Sequence, residues 1–274
     1  MNTTAGVSPP PAALALVPGL ESGASPLFVE RLEGGLVNES WRIDTSRGRF
    51  VLRVDGPVAQ RPGVERARER ALHDIVASAA FAPRVLLRDD AAGVQVREYL
   101  DGRVWGEHDL QVPAQLRRLG ERLAPLHELE PPAGIAPFDP GACALHYLRL
   151  IEAGGASPAV AAAIAAAVRG AAEVVAARGA RPVIIHGDLT HANLLDGGQL
   201  WLLDWEYAQC ADPVYDAACV LAYCAAARPQ AAQLLEAAGL AGASADGRLG
   251  EAIRVYEGLT WLWHRARSTG VRAQ

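Results

Sequence analysis

The chain has 274 residues, half of them hydrophobic, and its 26 lysines and arginines against 31 aspartates and glutamates leave a net charge of −5. That length is one large or two modest domains with enough apolar residues for a substantial core. The acidic balance argues against a nucleic-acid-binding surface, which needs a basic excess; it suits a cationic ligand, although surface charge also serves solubility.

Cys143, Cys210, Cys219 and Cys224 show neither C-x-x-C spacing nor a paired framework, so they read as buried thiols of a reducing cytosol rather than as a disulfide or zinc set. No basic segment precedes the first apolar residues, so no signal peptide is expected. No apolar run approaches the ~20 residues of a membrane helix; the longest, near Pro158 to Val168 and Ala217 to Ala227, stop at Arg169 and Arg228. The expectation is a cytoplasmic monomer or homodimer with no nucleic-acid or membrane partner.

Residues 1–25, rich in Pro, Gly, Ala and Ser, predict a flexible arm or a short helix around Ala12 to Leu16. Leu27 to Arg31, Trp41 to Asp44 and Phe50 to Val54 then predict a β-meander. Its first turn, Glu33 to Ser40, contains Gly34, Gly35 and Asn38, and such glycines let backbone N–H groups approach phosphate oxygens. An ordinary hairpin would look the same. Gly63 to Ala79 carries Leu72, Ile75 and Val76 at helical spacing, with Glu65 and Glu69 on one face. Ala82 to Arg88 and Val94 to Leu100 predict two further strands, the second running into a turn at Asp101-Gly102.

From about residue 103 the pattern turns helical: Leu110 to Leu129, Ala142 to Ala153 and the alanine-rich Pro158 to Arg178. His127 reads as a packing or helix-end residue. Next comes Ile184-Ile185-His186-Gly187-Asp188-Leu189-Thr190-His191-Ala192-Asn193-Leu194-Leu195, followed by Leu200-Trp201-Leu202-Leu203-Asp204-Trp205. Apolar runs ending on acids predict strand, loop, short strand, turn and strand. Asp188, Asn193 and Asp204 are hard oxygen donors of the kind Mg²⁺ takes, set where side chains can converge. Two carboxylates and an amide in this order can position a hydroxyl and hold metal under a triphosphate, and phosphoryl transfer is mostly positioning and charge neutralisation. Ala211 to Ala218 opens another helix, and the last one carries Tyr256, Glu257, Trp261, Trp263 and His264. Glu257, Trp261 and His264 can share a face, whereas Trp261 and Trp263 cannot. With Glu206 and Tyr207 they offer aromatic faces beside carboxylates, which bind quaternary ammonium or thiazolium groups; core packing is the competing use of each tryptophan.

The stretch also carries a family resemblance. His186-x-Asp188-x-x-x-x-Asn193 resembles the catalytic loop of protein kinases, with Leu203-Asp204-Trp205 where those enzymes have D-F-G. Its full wording is closer to the aminoglycoside phosphotransferase and choline kinase superfamily, and within it is most similar to bacterial thiamine kinases and choline kinases. The resemblance implies an α+β, bilobal protein-kinase-like fold: an N-terminal antiparallel sheet lobe with one helix over residues 26–100, binding nucleotide, and a larger, mainly helical C-terminal lobe over 101–274, holding the catalytic and substrate sites. It implies ATP and Mg²⁺ as cofactors, Asp188, Asn193 and Asp204 as catalytic residues, and Asn193 and Asp204 as metal ligands. The Gly34, Gly35, Asn38, Ser40 turn would cover the phosphates, and Arg53, where many relatives have lysine, would hold them with Glu69 as its partner and Glu65 in reserve. Adenine would meet the backbone at Glu98, Tyr99 and Leu100. His186 would support the loop, and Asp216, in D-P-x-x-D spacing, would brace it. The implied activity is transfer of the γ-phosphate of ATP to a small cationic alcohol such as thiamine or choline, contacted by Glu206, Tyr207, Glu257 and Trp261. An aminoglycoside-type acceptor is the alternative, although the segment from Leu129 to Pro182 is short of acids. A non-catalytic binding module is the third reading, and it would be marked by loss of Asp188, Asn193 or Asp204.

Overall fold

The computed structural model describes residues 8–21, 23–32, 38–55, 65–178 and 181–269. The chain divides into two units, Met1–Gln60 with Pro83–Asp101, and Arg61–Ala82 with Gly102–Gln274.

The first unit follows from alternation. It opens with the short helix α1 (Pro11–Leu14) and five antiparallel strands, β1 (Phe28–Leu32), β2 (Glu39–Thr45), β3 (Gly48–Val54), β4 (Val85–Asp89) and β5 (Val94–Glu98), in the order β1-β2-β3-β5-β4. Trp41, Ile43, Phe50, Leu52, Val94 and Val96 share one face because side chains alternate along a strand. Ala13, Val17 and Leu20 close over that face and are almost fully buried. The described part of the expected loose arm is therefore a packed layer of this unit, tied also by the Thr45 hydroxyl to the Pro18 carbonyl at 2.8 Å. Its prolines fit because this layer needs apolar side chains rather than a continuous helix.

The second unit begins with α2 (Arg66–Ser78), the helix expected in the smaller lobe, whose Leu72 and Val76 join the core formed by the rest of this unit. After β6 (Arg103–Val104) come α3 (Pro113–His127), α4 (Pro140–Ala153) and α5 (Ala159–Ala176). Four short strands follow, β7 (Val183–Ile185), β8 (Leu194–Gly197), β9 (Gln199–Leu202) and β10 (Gln209–Ala211), then α6 (Val214–Tyr223), α7 (Ala231–Ala237), α8 (Gly242–Ala245) and α9 (Arg248–Ser268). β7 pairs with β10, and β6, β8 and β9 form a small antiparallel sheet. The expected strand, loop, strand, turn, strand order thus holds across residues 183–202.

One expectation needs correcting. With 18 residues at mean hydropathy 1.7, α5 is long and apolar enough to cross a membrane by length and composition. The apolar run stops at Arg169 in the sequence, but a helix of this length tolerates two charges, and Arg169 and Glu173 fall inside it. The helix packs its Ala161, Ala165, Val168, Ala171 and Val175 stripe into the core of the unit. It runs so close to α9 that a Cβ on Gly258 would lie 2.4 Å from Val168 Cγ2.

Candidate active site

The loop from β7 to β9 is held from beneath by one buried acid. Asp216, in the first turn of α6 and fully buried, accepts main-chain N–H bonds from His186 at 3.1 Å and Gly187 at 3.0 Å. His127 Nε2, at the end of α3, lies 3.0 Å from the same carboxylate. His127 is therefore more than the packing residue expected, for it fills the third side of the acid that fixes the loop.

The hydrogen bonds of His186 settle its tautomer. Nδ1 accepts from the Asp188 N–H at 3.2 Å, so the proton sits on Nε2, which donates to the Leu203 carbonyl at 2.8 Å. Burial lowers its pKa and keeps the ring neutral. It packs against Trp205, with ring centroids 4.6 Å apart. The Leu203 N–H in turn donates to the Asn193 carbonyl at 2.8 Å. The segment carrying Asp188 is thus stitched to the one carrying Asp204 through main-chain groups.

Gly187 is required here. Its φ of +77° is left-handed, and a Cβ would sit 2.5 Å from the Tyr207 carbonyl oxygen. Its own carbonyl accepts the Tyr256 hydroxyl of α9 at 3.2 Å. Asp204 also has a left-handed backbone, φ 59° and ψ 75°, which for a residue other than glycine stores strain at the point where its side chain leaves the strand.

Asn193 Nδ2 donates both to the Asp188 main-chain carbonyl, 2.8 Å, and to Asp188 Oδ2, 3.0 Å. With the nitrogen so committed, the amide oxygen is directed away from Asp188. Asp188 is pushed up to about 7, first by burial, then by the negative charges of Asp204 and Glu206, against the hydrogen bonds of Asn193 and Tyr223. Glu206 is only 3% exposed. The structure therefore brings Asp188, Asn193, Asp204 and Glu206 into one locus, with Tyr207 in the turn directly after it. Among the described residues no three His, Cys, Asp or Glu side chains converge on a metal position. The donor set is a carboxylate and an amide, which suits an ion that takes its remaining oxygens from phosphate and water.

Residues 29–252 match the profile of the phosphotransferase enzyme family. The chain belongs to that family. Among solved structures, this phosphotransferase is similar to a choline/ethanolamine kinase family protein from Mesorhizobium loti, at 28% identity and TM-score 0.75, over 92% of this chain and 83% of that one. It shares its fold with the choline kinase LicA from Streptococcus pneumoniae, at 19% identity and TM-score 0.76, over 93% and 90% of the two chains. A further neighbour is the aminoglycoside phosphotransferase APH(4)-Ia, whose variant was solved with ADP and hygromycin B, at 18% identity and TM-score 0.63, over 91% and 95%. No curated protein matches the chain. The mixed α+β fold with its N-terminal antiparallel sheet is that of these kinases.

The other predicted residues of the phosphotransferase are distributed over both units. Gly34 and Gly35 lie outside the described residues. In the first unit Ser40 stands opposite Arg53 in the β2–β3 register, and Arg53, with its side chain 8% exposed, reaches Asp55 at 3.3 Å; Asn38 lies just before β2. Glu98 spends its carboxylate on Arg84, and the Glu98 and Tyr99 N–H groups donate to the Arg84 and Arg49 carbonyls. A base reading those two amides would have to replace these bonds. In the second unit Glu69 is buried and pairs with Arg66 at 2.6 Å, whereas Glu65 is exposed and lies 3.7 Å from Arg68.

Trp261 is not brought to the Asp188 locus. Glu257 pairs with Arg228. Trp261, 40% exposed, lines with Ser157, Val160 and His264 a surface hollow of about 560 Å³ that contains none of the loop residues. The reason is helical phase: five residues separate Trp261 from Tyr256, which turns it some 140° away from the side chain that does reach the loop. Tyr256 and Tyr223 are the contacts that sequence reasoning missed. Tyr256 belongs to the buried stripe Ala252, Val255, Tyr256, Leu259 of α9, a periodicity that could have pointed inward. Tyr223, at the last turn of α6 and half-exposed, hydrogen-bonds Asp188 across 35 residues of chain, which no local signal reveals.

Proposed function

We propose that this phosphotransferase transfers the γ-phosphate of ATP to the hydroxyl of a small cationic alcohol of the choline, ethanolamine or thiamine type. The observation that carries the reading is the locus of Asp188, Asn193, Asp204 and Glu206. One carboxylate there is oriented by an amide, and the acids lie close enough to raise its pKa. Asp188 accepts or orients the hydroxyl proton of the acceptor, through a carboxylate fixed by Asn193 and by the braced backbone beneath it. Asn193 through its amide oxygen and Asp204 through its carboxylate would hold Mg²⁺, and the ion when bound would neutralise charge on the β- and γ-phosphates. Ser40 and Arg53, opposite one another in the β2–β3 register, have the chemistry to meet phosphate.

The acceptor class rests on charge and aromatic content. Glu206 gives a buried negative charge next to Asp188, while Tyr207 and Tyr223 give aromatic surface suited to an alkylammonium or thiazolium group. The Mesorhizobium loti relative named for choline and ethanolamine is the most similar in sequence of the structures above, and LicA has been solved with AMP, which supports an adenine nucleotide. Free thiols at Cys143, Cys210, Cys219 and Cys224 suit a reducing cytoplasm.

An ADP-release assay of the purified protein with ATP and Mg²⁺ tests this against choline, ethanolamine, thiamine and kanamycin. Turnover fastest with one of the three small cations is expected. Preference for kanamycin would move the protein to the aminoglycoside class, and nucleotide binding with no turnover on any acceptor would make it a binding module.

A further inference from the structure

The sheet of the first unit has two faces, and α1 with Val17 and Leu20 covers only one. On the other, the register places Ser40 opposite Arg53, Arg42 opposite Val51 and Asp44 opposite Arg49. Arg42 is one alternation away from the two residues proposed to meet phosphate. Its guanidinium is unusually well fixed for a partly exposed side chain: Nε donates to Asp44 Oδ1 at 2.8 Å and Nη2 to Asp44 Oδ2 at 2.7 Å. Two bonds to one carboxylate fix the plane as well as the position of the group. Its central carbon lies 5.1 Å from the Phe28 ring centroid and 4.7 Å from that of Tyr99. Phe28 is 45% exposed and the Arg42 side chain 24%.

An ion pair between neighbouring residues of a strand needs no aromatic company, and two rings beside it at partial exposure are costly to leave in water. Because Asp44 takes two of the guanidinium donors and balances its charge, Arg42 is a poor ligand for phosphate, which the same carboxylate would repel. With a quarter of its side chain exposed beside two rings, Arg42 offers a planar, weakly hydrated cation of the kind that stacks on heteroaromatic bases.

We propose that Arg42, clamped by Asp44 and flanked by Phe28 and Tyr99, is the platform on which the purine of the nucleoside triphosphate stacks, making it a nucleotide-positioning residue. This rests on the proposed use of ATP. It also assigns Tyr99 a role through its ring, in addition to the main-chain role expected from the sequence.

The test is calorimetric titration of the full chain and its Arg42→Met variant with ATP, AMP and inorganic tripolyphosphate. Loss of a stacking partner should weaken ATP and AMP together by about tenfold, leave tripolyphosphate unchanged, and raise KM for ATP without moving KM for the acceptor. Arg42→Lys, which keeps the charge but not the plane, should lose nearly as much as Arg42→Met. Asp44→Asn, which keeps the arginine and loosens its clamp, should lose less, in the same order of ligands. Equal weakening of tripolyphosphate would make Arg42 a phosphate ligand and overturn the proposal; so would ATP binding that none of the three substitutions changes. Failure of the unaltered protein to bind ATP or AMP would overturn the nucleotide reading along with this one, which separates the two failures.

Discussion

The loop over residues 186–204 and the Arg42 face of the sheet are held by different means. The loop is fixed through its backbone: Asp216 takes two main-chain N–H groups, His186 accepts the Asp188 N–H, and the carbonyls of Gly187, Asn193 and Leu203 all have partners. The sheet face is fixed through side chains, Arg42 to Asp44 and Arg49 to Asp101, on a ladder that would form with other residues in those places. A buried backbone group that loses its partner costs its full desolvation. A partly exposed ion pair that breaks is replaced by water at little cost. Single changes at the groups that hold the loop backbone should therefore damage fold and activity together, whereas those at the exposed sheet pairs should alter binding alone.

Four substitutions in and beneath the loop, with one glycine control, sharpen this contrast. Asp188→Asn should have the largest effect, a fall in kcat of about 10²–10⁴ in the ADP-release assay, with ATP affinity within a few-fold of the unaltered protein. The same change should stabilise the metal-free fold. Burial and the neighbouring acids raise the Asp188 carboxyl from the usual carboxylate range to about 7, so protonation favours the native state and ionisation costs stability as pH rises through 7. The Tm gain from Asp188→Asn should therefore be present at pH 8 and shrink as pH falls below 7, and a gain independent of pH would contradict the burial argument.

Asp216→Ala comes next, since it strips an acceptor from His186, Gly187 and His127 at once. It should cost about 3–5 kcal/mol, read as a fall in denaturant midpoint, with activity lost in the fraction that stays folded. Gly187→Ala should cost about 2–3 kcal/mol because left-handed backbone and the Tyr207 carbonyl both oppose the new methyl. Gly198→Ala is its control: φ is +74° there, but the added Cβ meets nothing within 4 Å, so only the backbone term of about 1 kcal/mol remains. Equal losses at the two glycines would mean that the Gly187–Tyr207 approach does not matter. Tyr256→Phe is the smallest, about 1 kcal/mol, for one hydroxyl bond to the Gly187 carbonyl.

How much could be read beforehand differs in the same way. The strand, loop and strand pattern of residues 184–205 and the convergence of Asp188 with Asn193 were legible, because both partners lie within five residues on a loop whose ends are strands. Asp216 was legible only through the spacing of a known family. His127 as the other partner of Asp216, Tyr223 as a contact of Asp188 and Tyr256 as a prop of Gly187 were not. Each arrives from another helix, and nothing in its own neighbourhood distinguishes it from a core residue. Trp261 erred in the opposite direction: aromatic identity suggested a substrate contact, but helical phase turned it to a separate hollow. The N-terminal prolines misled in a similar way, since composition reports that a segment cannot form a long helix and is silent on whether Ala13, Val17 and Leu20 find a sheet to cover.

By itself the sequence determined the kinds of elements, the family, and the three oxygen-bearing residues of the loop, because periodicity, turn chemistry and short-range spacing are local properties. Only the tertiary structure decided which helices supply the supports under that loop, which face of α9 meets it, and that Arg42 lies over the rings of Phe28 and Tyr99. Those outcomes depend on packing between segments far apart in the chain, where the free energy comes from shape and burial that no local pattern records.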